Sequence, residues 1–285
     1  MTITTQQLID DAEQLVSLPE ACIRLNELVA DPRCSTEEIG RVINQDVALT
    51  ARILRIANSP MYGLATQVDT ISRAVMMLGT EPIRNLALAT TAVKTFSGIP
   101  NTLISMDQFW EHSIYCALCA RTLAMDCLKQ QREAVFVGGL LHDIGRLLMY
   151  HQEPELSRQA LESRQHSTEP WEHQDAERAV FGFDHAELGG ELAKRWGLPN
   201  NLYECIAFHH APAQARTHPV EVAIVHIANS LASLAQQDTL EPDQAPAIQP
   251  LAWELTGLDT NIIEAIVASA QAQIGSARAL LMISR

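Results

Sequence analysis

The chain has 285 residues, with 20 Lys and Arg against 34 Asp and Glu, for a net formal charge of −14. Apolar residues make up 47 % of it, ample for a packed core. The acidic balance opposes binding to duplex DNA or an anionic membrane surface, both of which attract a surplus of Lys and Arg. The opening MTITTQQLIDDAEQL lacks the basic and apolar regions of a signal peptide. The longest apolar run, Ala134 to Leu141, is far short of the roughly 20 residues that span a bilayer. A cytoplasmic protein is expected.

Helical periodicity dominates along the chain, and strand-like alternation is almost absent. Ser17-Leu-Pro-Glu20 predicts a helix start, as a capping box with Pro in the first turn, and Ser35-Thr-Glu-Glu38 predicts a second. Apolar residues then recur at Ile39, Val42, Ile43 and Val47, and again at Ile53, Leu54 and Ala57. The helix carrying Arg52 and Arg55 is expected to end at Asn58-Ser59-Pro60, with Asn as its C-cap. Arg52, Arg55 and Asn58 could also face a partner, but Arg at a helix C-terminus is favourable by itself. Gly79 should stop one helix and Thr80-Glu-Pro82 start the next. Residues 97–106 carry Gly, Pro and Asn and read as a boundary. Cys116-x-x-Cys119 follows no strand and has no second pair at zinc spacing, so reduced, buried thiols are expected. Further on, Asp184-x-x-Glu187 predicts a helix start and Gly197 a stop, while the Pro-rich residues 237–250 read as a loop before a last helical segment. The expected fold is all-α, with an N-terminal helical bundle packed on a C-terminal one.

The chemistry concentrates in histidine. Nine of the ten histidines lie between residues 112 and 218. The sharpest feature is His142-Asp143, read as an adjacent pair inside an apolar helix. An ionised Asp in such surroundings needs a metal or a hydrogen-bond donor, so a metal site and a structural hydrogen-bond role are the two readings. His112 lies on another apolar helix, His185 starts a helix, and His209-His210 end one before a Pro. Mixed imidazole and carboxylate ligands suit iron, manganese or zinc rather than calcium. Glu177, eight residues before His185, is expected on a solvated helix face, the alternative being an extra ligand or a partner to one, and His151, His166, His173, His218 and His226 in surface or packing roles. No Walker loop and no GxGxxG motif occurs.

In this order His112, His142-Asp143, His185 and His209-His210 resemble the motifs of the HD superfamily of metal-dependent phosphohydrolases. Leu18-Pro19-Glu20, residues 45–64, residues 71–89 and FGFDHAELGGELAKRWGLP (181–199) are similar to the HDOD domain, the HD-related output domain of bacterial signalling proteins. The resemblance covers 12–212, divided into an N-terminal helical part (12–96) and an HD-like part (106–212), with 213–285 as a C-terminal helical extension. No receiver or sensor domain is expected ahead of it.

Two departures from the superfamily bear on turnover. A downstream Asp normally closes the metal site, and Asn229 stands at that position; its neutral amide is a weaker ligand. The HD-GYP phosphodiesterases carry a Gly-Tyr-Pro signature, absent here, and a Lys where this chain has Arg146. Arg can hold phosphate but does not act as a base. The resemblance therefore implies a signalling output module whose degenerate site holds a divalent metal through His112, His142, Asp143, His185, His209 and His210, with Asn229 as a weak ligand. Its partner would be a protein, and a phosphate-containing ligand is compatible with the site. The alternative is an active phosphohydrolase on a nucleotide or cyclic dinucleotide, with Asp143 and Arg146 in catalytic roles.

Overall fold

The computed structural model describes residues 3–13, 17–31, 33–98, 101–128, 132–166 (backbone only for 164–166), 173–236 and 247–282. The fold is all-α, with no strand among the described residues. None of the helices searched is long and apolar enough to cross a membrane.

The N-terminal half comprises α1 (Thr5–Asp11), α2 (Glu20–Ala30), α3 (Thr36–Ile43), α4 (Val47–Ala57), α5 (Ile71–Leu78) and α6 (Thr80–Ser97). Ser35 caps α3 through the expected capping box with Glu38. Ser17 does not cap α2: the N-cap is Pro19, whose extended backbone leads into Glu20 without a side-chain bond. Asn58 caps α4 and also fastens the next loop, its amide exchanging two hydrogen bonds with the backbone of Val68 at 2.8 and 2.7 Å. The chain reverses between α5 and α6 at Gly79, whose φ of 99° disfavours an L side chain. Helix α6 is buried along most of its length and forms the axis of this half.

The C-terminal half is built on α7 (Met106–Cys127), against which α8 (Arg132–Leu141) packs. Then follow α9 (Ile144–Gln152), α10 (Pro154–His166), α11 (His173–Phe181), α12 (His185–Arg195), α13 (Asn200–Phe208), α14 (Pro219–Ala235), α15 (Pro250–Thr256) and α16 (Ile263–Leu281). Both α14 and α16 pack on α7, so the segment after residue 212 joins the same core. The sequence-predicted loop at 237–250 falls largely outside the described residues, and α15 begins at Pro250.

The halves are joined by packing of α6 on α8 and by several side-chain contacts. Tyr62 donates to Glu133 Oε2 over 2.5 Å, and Arg121 Nε donates to the other oxygen of the same carboxylate over 3.2 Å. Phe96 and Trp196 rings meet at 5.9 Å, and Arg195 pairs with Asp10 and Glu13 at the surface, where such pairs contribute little. The six cysteines are free thiols, as expected, with Cys116, Cys119 and Cys205 buried. Burial pushes the Cys119 thiol up to about 12 and those of Cys116 and Cys205 well above their usual range, which leaves all three inert.

Candidate metal centre

The helix predicted through His142-Asp143 is broken there. Helix α8 stops at Leu141, the pair forms a turn, and α9 starts at Ile144 with Asp143 in the N-cap position but making no capping bond. The reason lies two residues on. A Cβ on Gly145 would fall 2.1 Å from the His185 carbonyl oxygen and 2.7 Å from the Gly189 amide nitrogen. The chain must turn to bring α9 into backbone contact with α12, and that turn delivers His142 and Asp143 to the start of α12.

The other histidines arrive by equally local means. Asp184 caps α12 by accepting from the Glu187 amide at 2.8 Å, and Arg178 holds its second oxygen, so His185 sits in the first turn. Helix α13 gives out at Phe208, with His209 as its C-cap and Pro212 blocking continuation. His112 projects from α7.

The ring nitrogens are sorted by their outward partners. Nδ1 of His142 donates to the Gly139 carbonyl at 2.7 Å and Nδ1 of His209 to the Ile206 carbonyl at 2.8 Å. Nδ1 of His185 donates to Glu177 Oε2 at 2.5 Å. Each leaves its Nε2 facing inward, toward Asp143. The Nε2 atoms of His185, His142 and His209 lie 3.1, 3.4 and 3.8 Å from Oδ1 of Asp143. His210 Nε2 is 3.0 Å from that of His185, and His209 Nε2 is 3.3 Å from it. His142 Nε2 and Asp143 Oδ1 are buried and make no hydrogen bond with the protein. Buried polar atoms are rarely left so, because each costs about 1–3 kcal/mol. A set of imidazole lone pairs converging on one carboxylate oxygen is the donor set a divalent transition metal takes, and the cluster can hold such an ion.

The neutral rings agree with this sorting, whereas metal-free His185 carries a second proton that a metal would have to displace. Burial pushes His142 down to about 4 and, together with the neighbouring histidines, holds His209 and His210 well below the usual imidazole range, so all three are neutral. Burial would lower His185 too, but the carboxylates of Glu177 and Asp143 outweigh it and raise it to about 9. Burial would raise Asp143, yet Arg146, His142 and His185 hold it well below the carboxylate range.

Arg146, on the first turns of α9, donates from Nη1 to Asp143 Oδ2 at 2.9 Å and brings Nε within 3.6 Å of Glu177 Oε1. Asn229, on α14, touches the site through His112: its Oδ1 is 2.9 Å from His112 Nε2, while Gln236 Oε1 is 2.9 Å from Nδ1. A neutral imidazole has one N–H, so one of these amides turns its NH₂ to the ring. All the sequence-predicted residues thus meet in one place. A cavity of about 890 Å³ opens onto Asp143 and Arg146, walled by His112, Phe109, Tyr115 and Tyr150.

Two expectations need correction. Glu177 is not on a solvated face: it is 3 % exposed and accepts from both Nδ1 and the backbone N–H of His185. Its signal was present, since Val180 and Phe181 follow at i+3 and i+4 and mark the apolar face of α11. Nor is His226 a bystander. It is buried on α14, its Nδ1 donates to the His209 carbonyl at 2.7 Å, and its Nε2 accepts from the Gln249 amide at 3.0 Å. The Gln249 side chain also donates to the His210 carbonyl at 2.9 Å. A histidine in a helix apolar on every side was the available signal for His226; Gln249 had none.

The HDOD domain model matches residues 15–212 of the chain. The chain belongs to the HDOD family. An HDOD protein of unknown function from Geobacter sulfurreducens is 25 % identical, with a TM-score of 0.71 over 97 % of this chain and 98 % of its own. A candidate phosphohydrolase from Shewanella amazonensis, 24 % identical, shares the HDOD fold at a TM-score of 0.71 over 95 % of this chain and 97 % of its own. An uncharacterized protein of Treponema pallidum is 28 % identical over 204 residues, 71 % of this chain and 39 % of that relative's length. The chain thus spans well under half of that curated relative.

Proposed function

We propose that this HDOD chain is a regulatory output module of a bacterial cytoplasmic signalling pathway, acting on a protein partner, with an HD-type site that holds iron, manganese or zinc and does not turn over substrate. The observation that carries this reading is the engagement of Arg146. A guanidinium bound to Asp143 and set against Glu177 is spent on neutralising buried carboxylates rather than free to hold a phosphoryl group. Asn229 supports it, since an amide beside His112 adds no negative charge to the metal site. His142, Asp143, His185, His209 and His210 would be the principal ligands, with His112 and Asn229 beside them. Neither duplex DNA nor a membrane suits a chain of net charge −14.

The cavity favours a second reading, a metal-dependent phosphohydrolase, because about 890 Å³ beside Asp143 admits a nucleotide-sized ligand. A bound divalent ion supplies an acidified water in such chemistry. Arg146 would leave Asp143 to steady the phosphoryl oxygens, and the aromatic wall would take the remainder of the ligand. The two readings separate in a phosphodiesterase screen of the full chain with manganese or iron, using nucleotides and cyclic dinucleotides. No turnover above buffer is expected; turnover abolished by His142→Ala or Asp143→Ala would overturn the regulatory reading.

A further inference from the structure

We propose that this site takes one divalent cation per chain, with the Arg146 guanidinium standing where a second cation would otherwise bind. The inference rests on the reading of the site as a metal centre and concerns how many ions it admits.

The donors fall into two triads, His112, His142 and Asp143 on one side and His185, His209 and His210 on the other. A pair of ions served by both triads needs Asp143 as a bridge, with one carboxylate oxygen turned to each. Only Oδ1 faces the imidazoles. Oδ2 is taken by Nη1 of Arg146 at 2.9 Å. The same guanidinium places Nη2 3.3 Å from Nε2 and 3.5 Å from Nδ1 of His185, and Nε 3.6 Å from Glu177 Oε1. It is held between two buried carboxylates, with its side chain 16 % exposed, so it is a fixed part of the wall.

Charge leads to the same count. The site contains two buried carboxylates, Asp143 and Glu177, and one guanidinium, while the imidazole donors and the amide of Asn229 add no anion. With every imidazole neutral as a ligand, a first divalent ion brings this set to +1; a second would take it to +3 in surroundings that screen charge poorly. His112 is held off as well, each ring nitrogen lying 2.9 Å from a side-chain amide. The single ion therefore draws on Asp143 Oδ1 and the Nε2 atoms of His142, His185, His209 and His210.

The test is metal stoichiometry on the full chain, stripped with chelator, reloaded with Mn²⁺, dialysed and measured by elemental analysis and electron paramagnetic resonance. One manganese per chain with the spectrum of an isolated ion is expected. Arg146→Ala combined with Asn229→Asp should take two, with an exchange-coupled spectrum, whereas Arg146→Lys, which retains the charge, should stay at one. Two ions in the unaltered chain would overturn the inference and leave the metal reading intact. So would a double variant of native circular dichroism that still takes one. If the unaltered chain takes none, the metal reading itself fails.

Discussion

Glu177 holds His185 at two points, through Nδ1 at 2.5 Å and through the backbone N–H at 2.9 Å. The carboxylate thereby sets both where α12 begins and which way its first ring points. Partners of this kind fix the tautomer and raise the basicity of a metal-binding imidazole. Glu177→Gln should weaken Mn²⁺ binding by about 10- to 100-fold while the far-ultraviolet circular dichroism stays native. Isothermal titration measures it, and unchanged affinity would show that α12 alone orients the ring.

His226 acts at one remove, through the carbonyl of His209. His226→Leu strands that buried carbonyl at a cost of about 1–3 kcal/mol and leaves the partly buried Gln249 amide without its acceptor. The melting temperature should fall, and the extra stabilisation conferred by Mn²⁺ should shrink with it. Thermal unfolding with and without the ion reads both; a fall in melting temperature with an undiminished metal increment would confine His226 to packing.

Gly145 and Gly275 should respond in opposite senses to alanine. At Gly145 the added methyl meets two backbone atoms that cannot swing away, so Gly145→Ala should cost at least about 3 kcal/mol, at the upper end for overpacking, or prevent folding. At Gly275, inside α16, a Cβ meets nothing within 4 Å. Gly275→Ala should stabilise by about 0.4–1 kcal/mol through the unfolded state. Urea unfolding of the two variants compares them directly.

Tyr62 ties the N-terminal half to a mostly buried ion pair of the C-terminal half. Arg121 and Glu133 side chains are 19 % and 14 % exposed, and Tyr62 closes the group. Glu133→Ala should destabilise by about 3 kcal/mol, since it leaves the guanidinium without its carboxylate. Tyr62→Phe should cost about 1 kcal/mol. Because both side chains share one carboxylate, the double variant should cost less than the sum, and additive losses would show that the two bonds are independent.

Cysteine chemistry offers a solution-state check. Cys116 and Cys119 have no exposed surface, whereas Cys34 and Cys127 are only partly covered. Iodoacetamide should label Cys34 and Cys127 in the native protein and reach Cys116, Cys119 and Cys205 only after denaturation, as peptide mass spectrometry would show.

Much of the fold was legible because helices advertise themselves locally. The Ser35 and Asp184 caps, the stop at Gly79 and the Asn58 terminus all lie where short-range hydrogen bonding puts them. The residues that gather at Asp143 were legible for a different reason: His142, Asp143 and the imidazoles are costly to bury, so their presence in apolar surroundings is informative. What escaped was set by distance along the chain. The break at His142-Asp143 is imposed by contact between Gly145 and α12, about forty residues on, which no local pattern around residue 142 contains. Gln249 meets His210 only because α15 packs on α14, and an isolated Gln before a Pro signals nothing.

The bonds from Gln249 and His226 reach the His209-His210 turn from beyond the family's matched span, which ends at residue 212. They make the turn's position depend on where α15 lies. Anything that tugs α15, such as a partner gripping its exposed side, would be felt at two imidazoles through carbonyl oxygens alone. A fragment cut after residue 212 would keep the motif histidines yet lose Asn229, Gln236, His226 and Gln249, the frame that aims them.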